Sequence, residues 1–225
     1  MQKFDTTTPV TAVLDIPAGR IQVIAADRTD STVQVLPANP AKSRDVQAAE
    51  QIEVSYDDGV LRISTPAPAP KNRILGQSGS VEVTLQVPAG SHLRAKAAAT
   101  GFRVVGRLGD ITFEGAYGPV KIDEAASVSL TAADGDITVG RLTGPAEITT
   151  QKGDIQVTEA VRGTVALTTQ MGSLSVDTAQ GTSATLDAGT GYGRIHNSLK
   201  NTEGAAADLH IRATTSHGDI TARSL

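Results

Sequence analysis

The sequence predicts an all-β fold, a parallel β-solenoid of the right-handed β-helix type with about 18–20 residues per coil. Three observations predict it. First, a glycine, a polar residue and a branched aliphatic recur six times: Gly109-Asp110-Ile111, Gly135-Asp136-Ile137, Gly153-Asp154-Ile155, Gly172-Ser173-Leu174, Gly193-Arg194-Ile195 and Gly218-Asp219-Ile220, at steps of 26, 18, 19, 21 and 25 residues. Self-similarity near twenty residues is the signature of stacked coils that bury a shared core. Second, 39% of the chain is hydrophobic but only 3% is aromatic, and Trp is absent. A core of Val, Ile, Leu, Ala and Thr suits thin coils, because it lacks the aromatic volume that fills a thick globule. Third, alternating triplets such as Ile137-Thr138-Val139 and Ile155-Gln156-Val157 lie 18 residues apart, with no helix-length pattern between them. That spacing is too long for hairpin neighbours and fits one turn of a parallel coil.

Along the chain, residues 1–36 read as three strands, Ala12–Ile16, Ile21–Ile24 and Val33–Val35, because apolar and polar residues alternate there. Residues 37–50 carry two prolines and then helix formers from Ser43 to Glu50, a short helix or an excursion loop. Ile52–Tyr56 and Val60–Ile63, joined by Asp57-Asp58-Gly59, form a hairpin. Residues 65–80 run from alternating prolines into Gly and Ser and read as a mobile surface loop, open to cleavage near Lys71 or Arg73. A strand at Val81–Val87 follows, and its ending Val87-Pro88-Ala89-Gly90 repeats Ile16-Pro17-Ala18-Gly19. The expected organisation is an N-terminal strand-rich capping segment over 1–90 and a glycine-turn solenoid over 91–225, as one continuous domain.

Side chains alternate across a strand. Ile111, Ile137, Ile155, Leu174, Ile195 and Ile220 are therefore expected in one inward column, with Phe113, Val139, Val157 and Val176 in the next. Leu130, Ile148, Leu167, Leu186 and Ile211 are expected to line the facing sheet. The longer steps imply inserts around 121–127 and 197–207.

Two stretches, Gly191-Tyr192-Gly193-Arg194-Ile195-His196-Asn197-Ser198-Leu199 and Ala213-Thr214-Thr215-Ser216-His217-Gly218-Asp219-Ile220-Thr221, resemble a bacterial family of β-strand-repeat proteins of unknown function, often labelled "putative adhesin". The resemblance covers most of the chain and is strongest from residue 100 onward. It implies a β-helix or β-solenoid and a link to envelope stress or the cell surface. It brings no catalytic residues with it.

Charge and composition exclude several functions. Twenty basic and 24 acidic residues are interspersed, and no basic stripe of the kind that tracks nucleic acid is present. Without cysteine the chain has no disulfide, thiolate or Cys-ligated zinc chemistry. The start Met1-Gln2-Lys3-Phe4-Asp5 lacks a secretory pattern and no apolar run reaches membrane-spanning length, so the expected compartment is the cytoplasm, with envelope association through a partner.

Asp110, Asp136, Asp154 and Asp219 share one repeat position. They could form a calcium ladder, but Ser173 and Arg194 interrupt it, and hydrogen bonding to turn amides is the favoured role. His92, His196, His210 and His217 show no zinc-type spacing, although His196 and His210 could meet across the 197–207 insert. Lys121, Asp123, Glu124 and Arg141 could form the charged patch of a carbohydrate-active β-helix enzyme, a lyase or hydrolase, but more simply solvate a sheet face. Thr149, Thr168 and Thr182 would line an outer hydroxyl face open to glycans or proteins, although solvation explains them as well.

The sequence thus assigns no catalytic, cofactor-binding or metal residue, and no cofactor. It points to a non-catalytic scaffold or binding protein. Its expected partner surface is the last strand, Ile220-Thr221-Ala222, where an uncovered coil would self-associate or bind another protein.

Overall fold

The computed structural model describes residues 1–65 and 79–225, so the expected mobile loop at 65–80 falls almost wholly outside the described residues. Strands dominate, and their stacking is that of a parallel solenoid. The N-terminal elements are β1 (Gln2–Asp5), β2 (Thr11–Ala26), β3 (Asp30–Pro37), α1 (Ser43–Gln51), β4 (Glu53–Asp57), β5 (Val60–Ser64) and β6 (Val81–Pro88). Two long strands, β7 (His92–Tyr117) and β8 (Val120–Asp134), then wrap around corners. Shorter strands follow: β9 (Ile137–Leu142), β10 (Ala146–Lys152), β11 (Ile155–Ala160), β12 (Gly163–Met171), β13 (Leu174–Thr178), β14 (Ala184–Tyr192), β15 (Ile195–Ser198), β16 (Leu209–His217) and β17 (Ile220–Ser224).

Each coil contributes to two strand columns. In the first, residues 128–134 of β8, then β10 and β12, stack in parallel, with Leu130, Ile148 and Leu167 in register. In the second, residues 120–125 of β8 stack under β9, β11 and β13, with Val120, Ile137, Ile155 and Leu174 in register. These side chains are buried, and the core between the columns is almost entirely aliphatic apart from the packed pair Phe102 and Phe113, 4.6 Å apart. The two expected columns need one correction. Ile111 and Phe113 align with Val128 and Leu130 in the first column, not with Ile137 and Val139 in the second. Ile211 aligns with Val165 and Leu186, two positions away from the row of Leu167.

The glycine motif is corrected in the same way. Gly118, Gly135, Gly153, Gly172, Gly218 and Gly193 all have positive φ, from +129° to +157°. A Cβ on Gly153 would overlap the carbonyl oxygen of Gly135, and one on Gly172 would overlap that of Gly153. Stacked corners approach backbone to backbone, which leaves no room for a side chain. Gly109 is not in this row, and Gly118-Pro119-Val120 takes its place.

A second row supports the corner from inside. Thr150, Thr169 and Thr215 are buried. Thr169 donates its hydroxyl to Gly153 O at 3.3 Å and Thr215 to Gly172 O at 3.0 Å, each reaching the preceding coil. Buried hydroxyls are stabilised by hydrogen bonding, and the corner carbonyls are the acceptors of Thr169 and Thr215, whereas Thr150 donates to Lys152 O in its own strand. The sequence signal is Thr-x-x-Gly, repeated at Thr150, Thr169, Thr190 and Thr215.

At the N-terminal end the chain changes style. β2 pairs in parallel with β7 along most of its length, from Thr11↔His92 to Ile24↔Val105. Beyond β2 lie β5 and β6, and then antiparallel partners: β4 on β5, β3 on β6 and β1 on β3. Asp58 and Gly59, with φ of +46° and +76°, make the tight turn that suits a two-residue hairpin. The helix formers of 43–50 do form α1, which packs on β3 and β6. The repeated Pro-Ala-Gly turns differ in use. Gly19 joins the close-packed corner row beside Val81, whereas Gly90 begins a turn in which Ser91 Oγ donates to Pro88 O at 2.7 Å and accepts from Val10 N at 3.0 Å.

At the other end the coils do not stack in sequence order. β16 lies between β12 and β14, and β17 lies between β13 and β15. The chain therefore skips one coil position, lays down 184–198, and returns through 199–208 to fill the gap with its last coil. The expected open edge at Ile220-Thr221-Ala222 is accordingly corrected: Ile220 and Ala222 are buried, and the outermost coil is β14–β15.

Candidate functional site

Among the described residues the terminal coil is the most exposed of the stacked parallel coils. β14 pairs with β16 and β15 pairs with β17, each on one side, and no described strand covers the other side. The inward residues of this coil are correspondingly half open. Leu186 and Ala188 are partly buried, and Ile195 is 47% exposed although Ile155 in the same row is fully buried. The 197–207 insert covers only the beginning of β14. Ala184 N donates to Lys200 O at 3.1 Å, Ser183 Oγ accepts from the amides of Thr202 and Glu203, and Ala207 is buried.

An aromatic corner adjoins this edge. Tyr192 is 75% exposed, and its ring stacks on His217 with centroids 5.0 Å apart and planes 13° apart. Met171, in register with His217, continues the row and is also exposed. Gly191 and Gly193 flank Tyr192, so neither sequence neighbour has a side chain to cover its ring. Charge is balanced on this coil and its insert: Asp187 and Glu203 against Arg194 and Lys200, all exposed. Arg194 is held by Asp219, whose Oδ1 accepts its backbone N–H at 2.8 Å and whose Oδ2 accepts from the guanidinium at 3.2 Å. Those bonds, the backbone one foremost, hold the Asp219 carboxyl below the usual carboxylate range.

The remaining candidate residues are placed elsewhere and separately. The corner aspartates accept hydrogen bonds from the amide of the next coil: Asp136 from Asp154 N at 3.0 Å and Asp154 from Ser173 N at 2.7 Å. Asp110 lies off that row and accepts from the Ser127 hydroxyl at 2.6 Å, beside His92. His210 meets the Thr185 hydroxyl at 2.8 Å, while His196 lies in register with Thr221 in the other column, so the two histidines are not brought together. Lys121, Asp123 and Glu124 lie along β8 and Arg141 on β9. Glu124 lies in register between Arg107 and Arg141, Arg141 pairs with Glu159 at 3.2 Å, and Asp123 accepts from Gly106 N. A shallow groove of about 360 Å³ runs over the first column past Asp110, Ser129 and Glu147, and none of those four residues lines it. Thr149 and Thr168 do stand in register on the outer face, whereas Thr182 sits in a turn and donates to Val161 O.

Tyr192 and the edge of 184–198 were not singled out by sequence reasoning. The available signal was Gly-Tyr-Gly, an aromatic with no bulky neighbours in a chain with three tyrosines. Its exposure depends on the coil order, which the sequence pattern does not reveal.

The strand columns, corner glycines and threonine row define a parallel β-solenoid. Residues 10–223 match the model of the family described as Toastrack DUF4097, and the chain belongs to that family. Among solved structures it is similar to a "putative adhesin" from Parabacteroides distasonis, with a TM-score of 0.55 at 13% identity, covering 98% of this chain and 95% of that one. It is also similar to a "putative adhesin" from Bacteroides fragilis, with a TM-score of 0.47, 13% identity and coverage of 98% and 95%. A third likeness, to a "putative cell adhesion protein" from Clostridium sporogenes, has a TM-score of 0.41, 12% identity and coverage of 100% and 99%. No curated protein matches the sequence. Among the described residues no helix is long and apolar enough to cross a membrane.

Proposed function

We propose that this chain is a non-catalytic solenoid scaffold that binds through its open terminal coil, and that the coil's first partner is a second copy of itself. The observation that carries this reading is the uncovered edge of β14 and β15, with Tyr192 and Ile195 exposed beside it. An unpaired strand edge is a template for another chain, and an exposed Tyr is a favoured interface anchor. Two acidic and two basic residues on the same coil and insert make the surface self-complementary under a two-fold axis, because each copy offers both signs. A closed pair of identical ends also stops fibre growth.

The adhesin names of the similar structures agree with a binding role at a cell surface, and envelope association through a partner fits the same scheme. The alternative, a carbohydrate-active enzyme, finds less support, because two of the charged residues it would use are engaged structurally, Arg141 with Glu159 and Asp123 with the Gly106 amide. Sedimentation analysis tests the proposal. The wild-type chain is expected to dimerise in the micromolar range, and Ile195→Glu to remain monomeric with an unchanged circular dichroism spectrum. A wild-type monomer at high micromolar concentration would overturn self-association.

A further inference from the structure

We infer that three polar side chains, Asp177, Asp219 and Asn197, form an order lock that keeps the C-terminal coil β16–β17 inside the stack and so decides which coil faces outward. The inference concerns the coil order itself, and it bears on binding only through the reading that the outermost coil is the recognition end.

The corner rows do not choose between the two possible orders. Gly193 and Gly218 share one conformation, with φ of +157° and +149°. Each places its backbone over a glycine carbonyl of the coil beneath, Gly218 over Gly172 and Gly193 over Gly218. Thr215 and Thr190 repeat one contact: each hydroxyl donates at 3.0 Å to the corner carbonyl beneath, Gly172 O and Gly218 O respectively. Either coil could therefore lie directly on β12–β13. Both also present aliphatic inward rows, Leu186, Ala188 and Ile195 in one and Ile211, Ala213 and Ile220 in the other. Those rows match in size position by position, and the larger Leu209 against Ala184 favours the interior position for β16 only modestly.

The polar positions do choose. Asp177 on β13 is buried, with its side chain 3% exposed, and it receives Arg223 in a bidentate pair at 2.6 and 2.7 Å. The register runs Asp177↔Arg223↔Ser198, so in sequential stacking Ser198 would replace Arg223 and leave a buried carboxylate uncompensated. Asp219 presents its carboxylate to the Arg194 amide and guanidinium. In sequential stacking Arg194 would lie over Ser173 and beneath Asp219; these corner aspartates accept from the amide of the coil outside them, as Asp154 does from Ser173 N, so the Arg194 amide bond to Asp219 would be lost. Asn197 occupies an inward position, in register with the buried Ala222. On the outermost coil its amide is exposed and its Oδ1 accepts from Leu199 N at 3.0 Å, whereas an inner coil would bury it against aliphatic neighbours. All three side chains disfavour the sequential order, and each does so through burial or pairing of a polar group.

The absence of cysteine allows a direct test. Ser175, Thr221 and His196 stand in register on β13, β17 and β15. Adjacent strands lie about 4.8 Å apart, within disulfide reach, whereas strands two coils apart lie about 9.6 Å apart, beyond it. In the otherwise wild-type chain, Ser175→Cys with Thr221→Cys should oxidise to an intramolecular bond, and Ser175→Cys with His196→Cys should not. In a chain carrying Asp177→Ser, Asp219→Ser and Asn197→Ala, the Ser175→Cys, His196→Cys pair should close in a substantial fraction of monomers, at least tenfold above the wild-type background. The same oxidation at submicromolar concentration excludes cross-linking between copies, so the result is independent of self-association. A triple-substituted chain that still closes only the 175–221 pair would overturn the lock. One that loses its circular dichroism spectrum would overturn it too, since these side chains would then hold the fold together and not its order.

Discussion

The two ends of the solenoid face the same problem and treat it oppositely. Any stack of coils ends in unpaired strand edges and half-covered aliphatics. At the N-terminal end the chain turns antiparallel: β4 covers β5, β3 covers β6, β1 covers β3, and α1 packs beside them. Phe4 and Tyr56 meet there with centroids 5.7 Å apart, and Asp30 is tied to both Lys3 and Arg28. At the C-terminal end the last coil is withdrawn into the stack, and a glycine-flanked Tyr and a half-exposed Ile are left outermost. The difference teaches that an open edge in this chain is not forced by lack of capping material. The same chain builds a cap at one end and leaves most of the other uncovered.

The largest predicted effect contrasts the middle of the stack with its open end. Ile155, fully buried, and Ile195, 47% exposed, occupy the same row. Ile155→Ala should cost about 2–5 kcal/mol, as truncation of a packed core aliphatic does. Ile195→Ala should cost less than about 1 kcal/mol, because a side chain half in water loses little burial. Urea denaturation at a concentration where the chain is monomeric checks this, and equal costs would show that the terminal coil is covered after all.

A smaller effect separates close-packed corners from free turns. Gly153→Ala places a methyl group against the Gly135 carbonyl at a φ of +131° and should cost about 1–3 kcal/mol. Gly181→Ala, at +80° with nothing within 4 Å, should cost only the conformational part, about 1 kcal/mol. If thermal melts place the two together, backbone approach is not what fixes glycine at the corners.

The smallest effect tests the charged cap. The Arg28 and then the Lys3 hydrogen bonds hold Asp30 down to about 2, from an ordinary 3.8. A depressed carboxylate stabilises the folded state above its unfolded pKa, and that contribution disappears as pH falls through the folded value. The Asp30 contribution should therefore fade between about pH 4 and pH 2. Carboxyl NMR titration should find its midpoint near 2 and move it toward the ordinary value in Arg28→Ala. An unshifted midpoint in wild type would mean that Lys3 and Arg28 do not hold the carboxylate in solution.

Much of the architecture was legible in the sequence because it is periodic. Gly135, Gly153 and Gly172 with their following aliphatics announce corners at nearly constant spacing, and alternation assigns Ile155 inward and Asp154 outward. The hairpin at Asp58-Gly59 and the helix formers of 43–50 were equally local signals. Gly109 misled because it copies the motif in composition while lying within β7 outside the positive-φ corner row, and only the strand register distinguishes it from Gly118. The candidate site was not legible. Repeats that satisfy the same glycine, threonine and aliphatic positions are interchangeable in a one-dimensional pattern, so sequence order looks like stacking order. Only the tertiary structure decides that Arg223 meets Asp177 and that Arg194 lies on the outer side of Asp219, because stacking in sequence order would set Ser198 on Asp177 and Arg194 on Ser173. The repeat determined what each coil is, and long-range burial and pairing of a few polar groups decided where the last two coils lie.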